Sequence, residues 1–433
     1  MQRQSQIRVW KSETLTADWF KRQKADEKAV QEVENSVKAI IKQVKENGDA
    51  ALVEFAQKFE KAELTVRTLK VKKEEIKEAY NKTSLDQVSA LKFIKERVTT
   101  FQKQQFSETE IKTNSDGITV RTVLRPIESV GCYVPGGQAA YPSTLIMTSV
   151  PAKVAGVPRI VVCSPSDAKG KVNPLVLVAA DLCGVDEVYK VGGAQAIAAL
   201  AYGTKSIKPV RKIVGPGSKY VTTAKVLVSI DVAIDMPAGP SEVLVLADES
   251  ADARLIAFDM VSQAEHGGDS VAGLITTSEK VALQVQEKLA TIVASAKRSE
   301  KVSEALTKYG FIIVCKSMEE AVSLVNQFAP EHLEVMTTKP KEMAEKLTAG
   351  LILLGPYSPV ALSDYGSGTN HVLPTDGFAQ SFSGLSVMDF MRRVSIVESS
   401  RMGLERVRDS IKVMTEAENL PNHNKAIEAR FEK

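Results

Sequence analysis

Up to residue 105, apolar positions along the chain recur at helical spacing. Between Ala29 and Val44 they are Val30, Val33, Val37, Ile40, Ile41 and Val44, and Gly48 follows as a stop. Steps of three and four put side chains on one stripe of an α-helix, and a glycine just past the end accepts a left-handed cap. Ala51–Phe59 predicts a short helix and Leu85–Phe101 a longer one, so residues 14–105 read as helical. Asn114–Leu124 alternates instead, which predicts a strand.

From Arg125 the rhythm changes to short β-rich runs separated by helical patterns. Strands are predicted at Arg159–Cys163, Glu187–Val191 and Lys212–Val214, with helices at Pro174–Cys183, Ala194–Ala201 and Lys219–Val228. The alternation resumes with strands at Glu242–Ala247, Ala272–Thr276, Gly310–Cys315, Leu333–Met336 and Leu351–Leu354. Helices at Ala251–Glu265, Lys280–Ala294 and Met318–Gln327 fall between them. Such alternation means βαβ units on parallel sheets, in two α/β blocks near 131–236 and 241–356. The tail from Met388 reads as helical and charged, clearest over Glu405–Glu416. It is too short for a core of its own and must dock on something.

The chain has 433 residues, 44% of them hydrophobic, enough for more than one core. The 56 basic and 53 acidic residues leave a net charge of +3 and are interspersed, as in Lys70–Glu78 and Glu279–Lys301. No nucleic-acid patch is expected from this pattern. Met1–Asp18 lacks an apolar h-region, and no stretch reaches the roughly 18 apolar residues of a membrane span. No membrane partner is therefore expected, and the expected compartment is the cytosol. Of four cysteines, Cys163, Cys183 and Cys315 sit among Val, Leu and Ile and read as small buried apolar residues. Cys132, beside Tyr133 in a glycine loop, is the one candidate nucleophile.

All four histidines sit in polar contexts. Gln263-Ala-Glu-His266 ends a helix before Gly267; positions i and i+3 share a face, so Gln263 and His266 can converge on one ion. The same residues fit a polar helix end equally well. Pro330-Glu331-His332 puts a carboxylate beside an imidazole, two proton carriers of different pKa, though a solvated loop exit fits these residues too. Ser363–His371 is a glycine-rich polar loop in which Asp364 can serve as a hard oxygen ligand, and a flexible surface loop fits these residues equally well. There His371 is a ligand, a support for one, or a substrate contact. Glu418 and His423 lie in the tail, before and after Pro421, and reach a site only if the tail packs there.

Two glycine loops follow strands, Val191–Gln195 and Val214–Ser218, and both can offer backbone N–H groups to a phosphate. Neither is a full dinucleotide fingerprint: Tyr220 stands where a third glycine would be, and Pro216 removes a donor. Ala238–Glu242 is a tight turn that sets Ser241 at the start of a strand.

Together these segments resemble the histidinol dehydrogenase family from near Arg125 to His423. The matching stretches are Arg125–Glu128, Gly131–Gly137, Val191–Leu200, Asp235–Val245, Ser262–His266, Pro330–His332, Asp364–Thr375 and Glu418–His423, in the family's order and spacing. The first 124 residues carry little of the signature. The resemblance implies two incomplete Rossmann-like domains with an N-terminal helical segment and a small C-terminal helical extension, in an intertwined homodimer. The implied division is an arm over 1–25, a first domain from 26–130 plus 240–380, a second over 131–239, and a segment 381–433 completing the partner's site. It implies one zinc per subunit, held by Gln263, His266, Asp364 and His423, and an acid–base pair in Glu331 and His332. Substrate contacts would be Ser241, Gln263, His266, His332, Asp364, Glu418 and His423. Nucleotide contacts would be Tyr133, Gln195 and Ser218, the last standing where family members often have Asn. The implied reaction is the NAD-dependent four-electron oxidation of L-histidinol, through histidinaldehyde, to L-histidine in the last steps of histidine biosynthesis. The alternatives are a zinc and NAD dehydrogenase of the same fold acting on another small polar alcohol, and a non-catalytic binding protein.

Overall fold

The computed structural model describes residues 7–15, 27–107, 111–136, 140–237 and 239–432. Most of the expected arm over 1–25, together with Gly137 and Ala238, lies outside the described residues.

The chain opens with β1 (Val9–Lys11) and a helical stretch, α1 (Glu27–Asn47), α2 (Asp49–Phe55), α3 (Lys73–Asn81) and α4 (Leu85–Ser107). A hairpin follows, β2 (Ile111–Ser115) and β3 (Ile118–Pro126). The next block runs β4 (Val130–Tyr133), α5 (Pro142–Val154), β5 (Ile160–Ser164), α6 (Pro174–Cys183), β6 (Glu187–Lys190), α7 (Gly193–Tyr202), β7 (Lys212–Val214), α8 (Lys219–Val228) and β8 (Ala233–Ile234). The third runs β9 (Glu242–Ala247), α9 (Ala253–Ala264), β10 (Val271–Thr276), α10 (Glu279–Ser295), α11 (Ser299–Tyr309), β11 (Phe311–Val314), α12 (Met318–Phe328), β12 (His332–Met336), α13 (Pro340–Ala344), β13 (Leu351–Leu354) and α14 (Val360–Tyr365). The tail carries β14 (Met391–Ser399), α15 (Arg401–Ala417) and α16 (Pro421–Glu428).

The central blocks form two all-parallel sheets. One has the order β6-β5-β4-β7-β8; the other is β1-β11-β10-β9-β12-β13. Leaving aside the added edge strand β1, each places its first strand in the middle and reverses direction beside it, as doubly wound sheets do. Their inner strands, such as β4, β5, β9, β10 and β12, are buried on both faces, which is why they read as apolar runs. Alternate residues feed different cores: Val161 and Cys163 pack with α1, α2, α7 and α8, whereas Ile160 and Val162 pack with α4, α5 and α6. In the larger sheet Val243 and Val245 face α9, α10 and α11, and Leu244 and Leu246 face α12.

Three expectations change. Residues 27–107, grouped with 240–380 from the sequence, supply helices that pack on the five-stranded sheet instead. Asn114–Leu124 is not one strand but parts of two, reversed at Asp116 (φ +55°) and Gly117 (φ +88°), the paired positive φ of a tight hairpin. The tail is not helical from Met388: Met391–Ser399 pairs antiparallel with β3 along its whole length, its β-branched Val394 and Ile396 half-buried. No helix of the described residues is long and apolar enough to cross a membrane.

Candidate active site

Strands β9 and β12 are neighbours, and their first residues, Glu242 and His332, sit together at the amino edge of the six-stranded sheet. A carboxylate opening an otherwise apolar strand is costly to bury, and here it is bonded on both sides. The Glu331 backbone N–H donates to Glu242 Oε2 (3.2 Å), and the Glu242 backbone N–H donates to Glu331 Oε2 (2.8 Å). The Asp376 backbone N–H donates to Glu242 Oε1 at 3.1 Å. This reciprocal clamp fixes the Glu331 carboxylate 3.5 Å from His332 Nδ1.

His332 is buried, and its Nδ1 lies 3.2 Å from the Glu242 carbonyl oxygen. A carbonyl only accepts, so Nδ1 carries the proton and Nε2 keeps a lone pair. That Nε2 is buried and has no hydrogen-bond partner. Burial pulls the His332 pKa down, but Glu331, with help from Asp364 and the Glu242 carbonyl, outweighs it and leaves the ring above its ordinary value. His371 is the opposite case. Burial dominates there, Asp364 only partly offsets it, and the ring is held below its usual value.

Asp364, near the end of α14, sits between these two imidazoles. Its Oδ1 is 4.0 Å from His332 Nε2 and 3.6 Å from His371 Nδ1, which is likewise buried and unpartnered. The segment predicted as a loop is therefore helical through Tyr365, which directs Asp364 inward. Beyond it, Asn370 donates to the Met147 carbonyl (2.7 Å) and Gly366 accepts from Arg97 Nε (2.9 Å), tying this loop to α5 and α4 on the other sheet.

Helix α9 runs back from β9 and so ends at the same amino edge. Gln263 is buried there and His266 is exposed just past the last turn, its N–H donating to the Gln263 carbonyl (3.2 Å). Ser241, half-buried, immediately precedes Glu242. An amide oxygen, an imidazole and a carboxylate make a donor set that suits zinc, and two ring nitrogens without hydrogen-bond partners lie within 4.0 Å of Asp364. Among the described residues, however, no group of three or more His, Cys, Asp and Glu side chains is arranged to hold a metal. The fourth expected ligand is elsewhere. Glu418 and His423 are exposed on an arm that packs on β14 and on itself.

The nucleotide candidates gather at the carboxyl edge of the five-stranded sheet. Tyr133 ends β4, and its buried hydroxyl accepts from the Gly193 N–H (3.1 Å) at the start of α7. Gln195 is buried on the same turn, and Ser218 is exposed at the N-cap of α8. All four cysteines are buried and unbridged, and burial pushes the Cys132 thiol up to about 12. A thiolate nucleophile is thus disfavoured. Sequence reasoning overlooked Glu242, whose signal was a lone acid at the head of a Val-Leu strand.

The chain matches the profile described as histidinol dehydrogenase over residues 22–431. The chain belongs to the histidinol dehydrogenase family. Relatives in that family include the histidinol dehydrogenase of Clostridium acetobutylicum, 47% identical over 92% of this chain and 93% of its own. That of Methanocaldococcus jannaschii is 45% identical over 93% of each chain. A crystal structure of histidinol dehydrogenase from Elizabethkingia anophelis superposes with a TM-score of 0.92 at 35% identity, over 99% of this chain and 98% of that one. Membership of the family makes the chain an NAD-dependent oxidoreductase of the α/β class.

Proposed function

We propose that the protein oxidises L-histidinol through its aldehyde to L-histidine, with NAD as oxidant and one zinc per site, in the cytosol. The observation that carries this reading is His332: a buried imidazole with its Nδ1 proton fixed and its Nε2 lone pair unused, beside a clamped carboxylate. Gln263, His266 and Asp364 are the zinc residues of one subunit, and His423 of a second copy completes the set. The exposed position of the arm carrying Glu418 and His423 supports such sharing. When bound, the zinc would anchor the substrate's imidazole and amino nitrogens, and the nicotinamide would provide the hydride acceptor.

The chain's own residues do the proton work. His332 Nε2 takes the alcohol proton, and the resulting imidazolium is stabilised by Glu331. Glu331 Oε1 carries no hydrogen bond among the described residues, unlike Oε2. It is the oxygen that takes a proton from the water adding to the aldehyde. A second proton and hydride loss from the hydrate then gives the acid. Tyr133, Gln195 and Ser218 contact the nucleotide, and Ser241 and Glu418 the substrate.

The test is NADH formation from L-histidinol before chelation, after it, and with zinc restored. Zinc-restored turnover with two NADH per histidinol is expected. A folded, zinc-loaded protein that turns over a different small alcohol instead would replace the substrate and keep the site.

A further inference from the structure

Beneath the second glycine loop lies a buried ion pair that no step above uses. The Lys225 and Asp235 side chains are 2% and 1% exposed and contact each other directly. Lys225, on α8, also donates to the Gly215 carbonyl (3.0 Å), and Asp235, just past β8, accepts from the Gly215 N–H (2.8 Å) at Oδ2. One peptide unit on each side of a single residue is thus held by an opposite charge. Gly215 itself is buried at φ +117°, and a Cβ there would lie 2.2 Å from the Tyr133 carbonyl oxygen. Only glycine permits that approach. The loop is pressed against the backbone of Tyr133, whose side chain in turn receives the Gly193 N–H.

For stability alone such a pair is a poor choice, because desolvating two charges offsets most of their attraction and apolar residues of equal volume do as well. What apolar residues cannot do is fix both the N–H and the C=O of Gly215. We propose that Lys225 and Asp235 are positioning residues for the nicotinamide nucleotide: through Gly215 they set the loop into α8 and the place of Tyr133, so that the site stands assembled before the nucleotide arrives. This rests on the reading that Tyr133, Gln195 and Ser218 contact NAD. Preorganisation of this kind acts on affinity, because loop ordering is not then charged against binding.

The experiment measures NAD affinity by calorimetry on the full-length, zinc-supplemented protein, alongside KM for histidinol and bound zinc. Lys225→Met combined with Asp235→Leu removes both charges without stranding either. NAD binding is expected to weaken by about tenfold or more, while histidinol KM and zinc content hold. Gly215→Ala keeps the pair and moves the loop against Tyr133, so it should give the same selective loss and serves if the double variant does not fold. Gln195→Ala separates the two ideas. If it weakens NAD binding while the folded pair variant does not, the positioning role is overturned and the nucleotide site stands. If neither changes NAD binding, the nucleotide reading falls and takes this proposal with it.

Discussion

The two parallel sheets share one strand order, yet their candidate residues occupy opposite edges. On the five-stranded sheet, Tyr133, Gln195 and Ser218 lie at the carboxyl edge, where α7 and α8 begin. On the six-stranded sheet, Glu242, His332 and Asp364 lie at the amino edge, where α9 and α14 end. Helix starts carry partial positive charge and unpaired N–H groups, which suit a pyrophosphate. Helix ends carry partial negative charge and unpaired carbonyls, which suit a cation. The same topology thus offers an anion site at one edge and a cation site at the other. The side chains placed there decide which is used.

The sharpest way to break this division is His332→Ala. Turnover should fall by roughly 10²–10⁴-fold, the usual worth of a general base, with NAD affinity by calorimetry unchanged. Loss of nucleotide binding as well would show that the two edges are not independent. Mixed dimers come next. If two copies share each site, as proposed, His332→Ala and His423→Ala proteins, each inactive, should recover about a quarter of wild-type turnover after unfolding and refolding together, since half the sites of each heterodimer would be intact. No recovery would place His423 in its own subunit's site.

Behind the cation edge, one turn back on α9, Asp259 meets Glu334 of β12. Burial raises both, Asp259 to about 6 from 3.8 and Glu334 well above its ordinary value, and Glu334 also accepts from the Val360 N–H (2.9 Å) that opens α14. A carboxyl raised in the folded state contributes stability below its unfolded pKa and loses it as pH rises through the folded one. Melting temperature should therefore fall between about pH 4 and pH 6 on this account. Asp259→Asn should flatten that slope, and an unchanged slope by calorimetry would show that the pair does not titrate in this window. The smallest effect belongs to Cys132→Ser, for which turnover should stay nearly intact. A collapse with the fold preserved would make a thiol step necessary at the anion edge.

Most of the α/β framework was legible because strands buried on both faces leave unbroken apolar runs, as over residues 160–163 and 243–247. What escaped was short or exposed. Three-residue β1 has no period to read, and β14 is a half-buried strand whose Arg392, Arg393 and Glu398 imitate a charged helix. At the site, each segment announced itself by a histidine in a polar context, but their meeting did not. Asp364 between His332 and His371 depends on how α14 returns from β13, a tertiary fact. Glu242 was hidden for the same reason, since its partners Glu331 and Asp376 lie 89 and 134 residues away.

Ser218 is exposed while His332 is sealed in, and that difference has a kinetic meaning. A reaction that consumes two oxidants per substrate must release the first spent nucleotide without losing its half-finished product. Were Ser218 to touch the nucleotide and His332 the substrate, as proposed, the buried residue would hold its molecule longer than the exposed one holds its own. The aldehyde would then wait while the nucleotides change places.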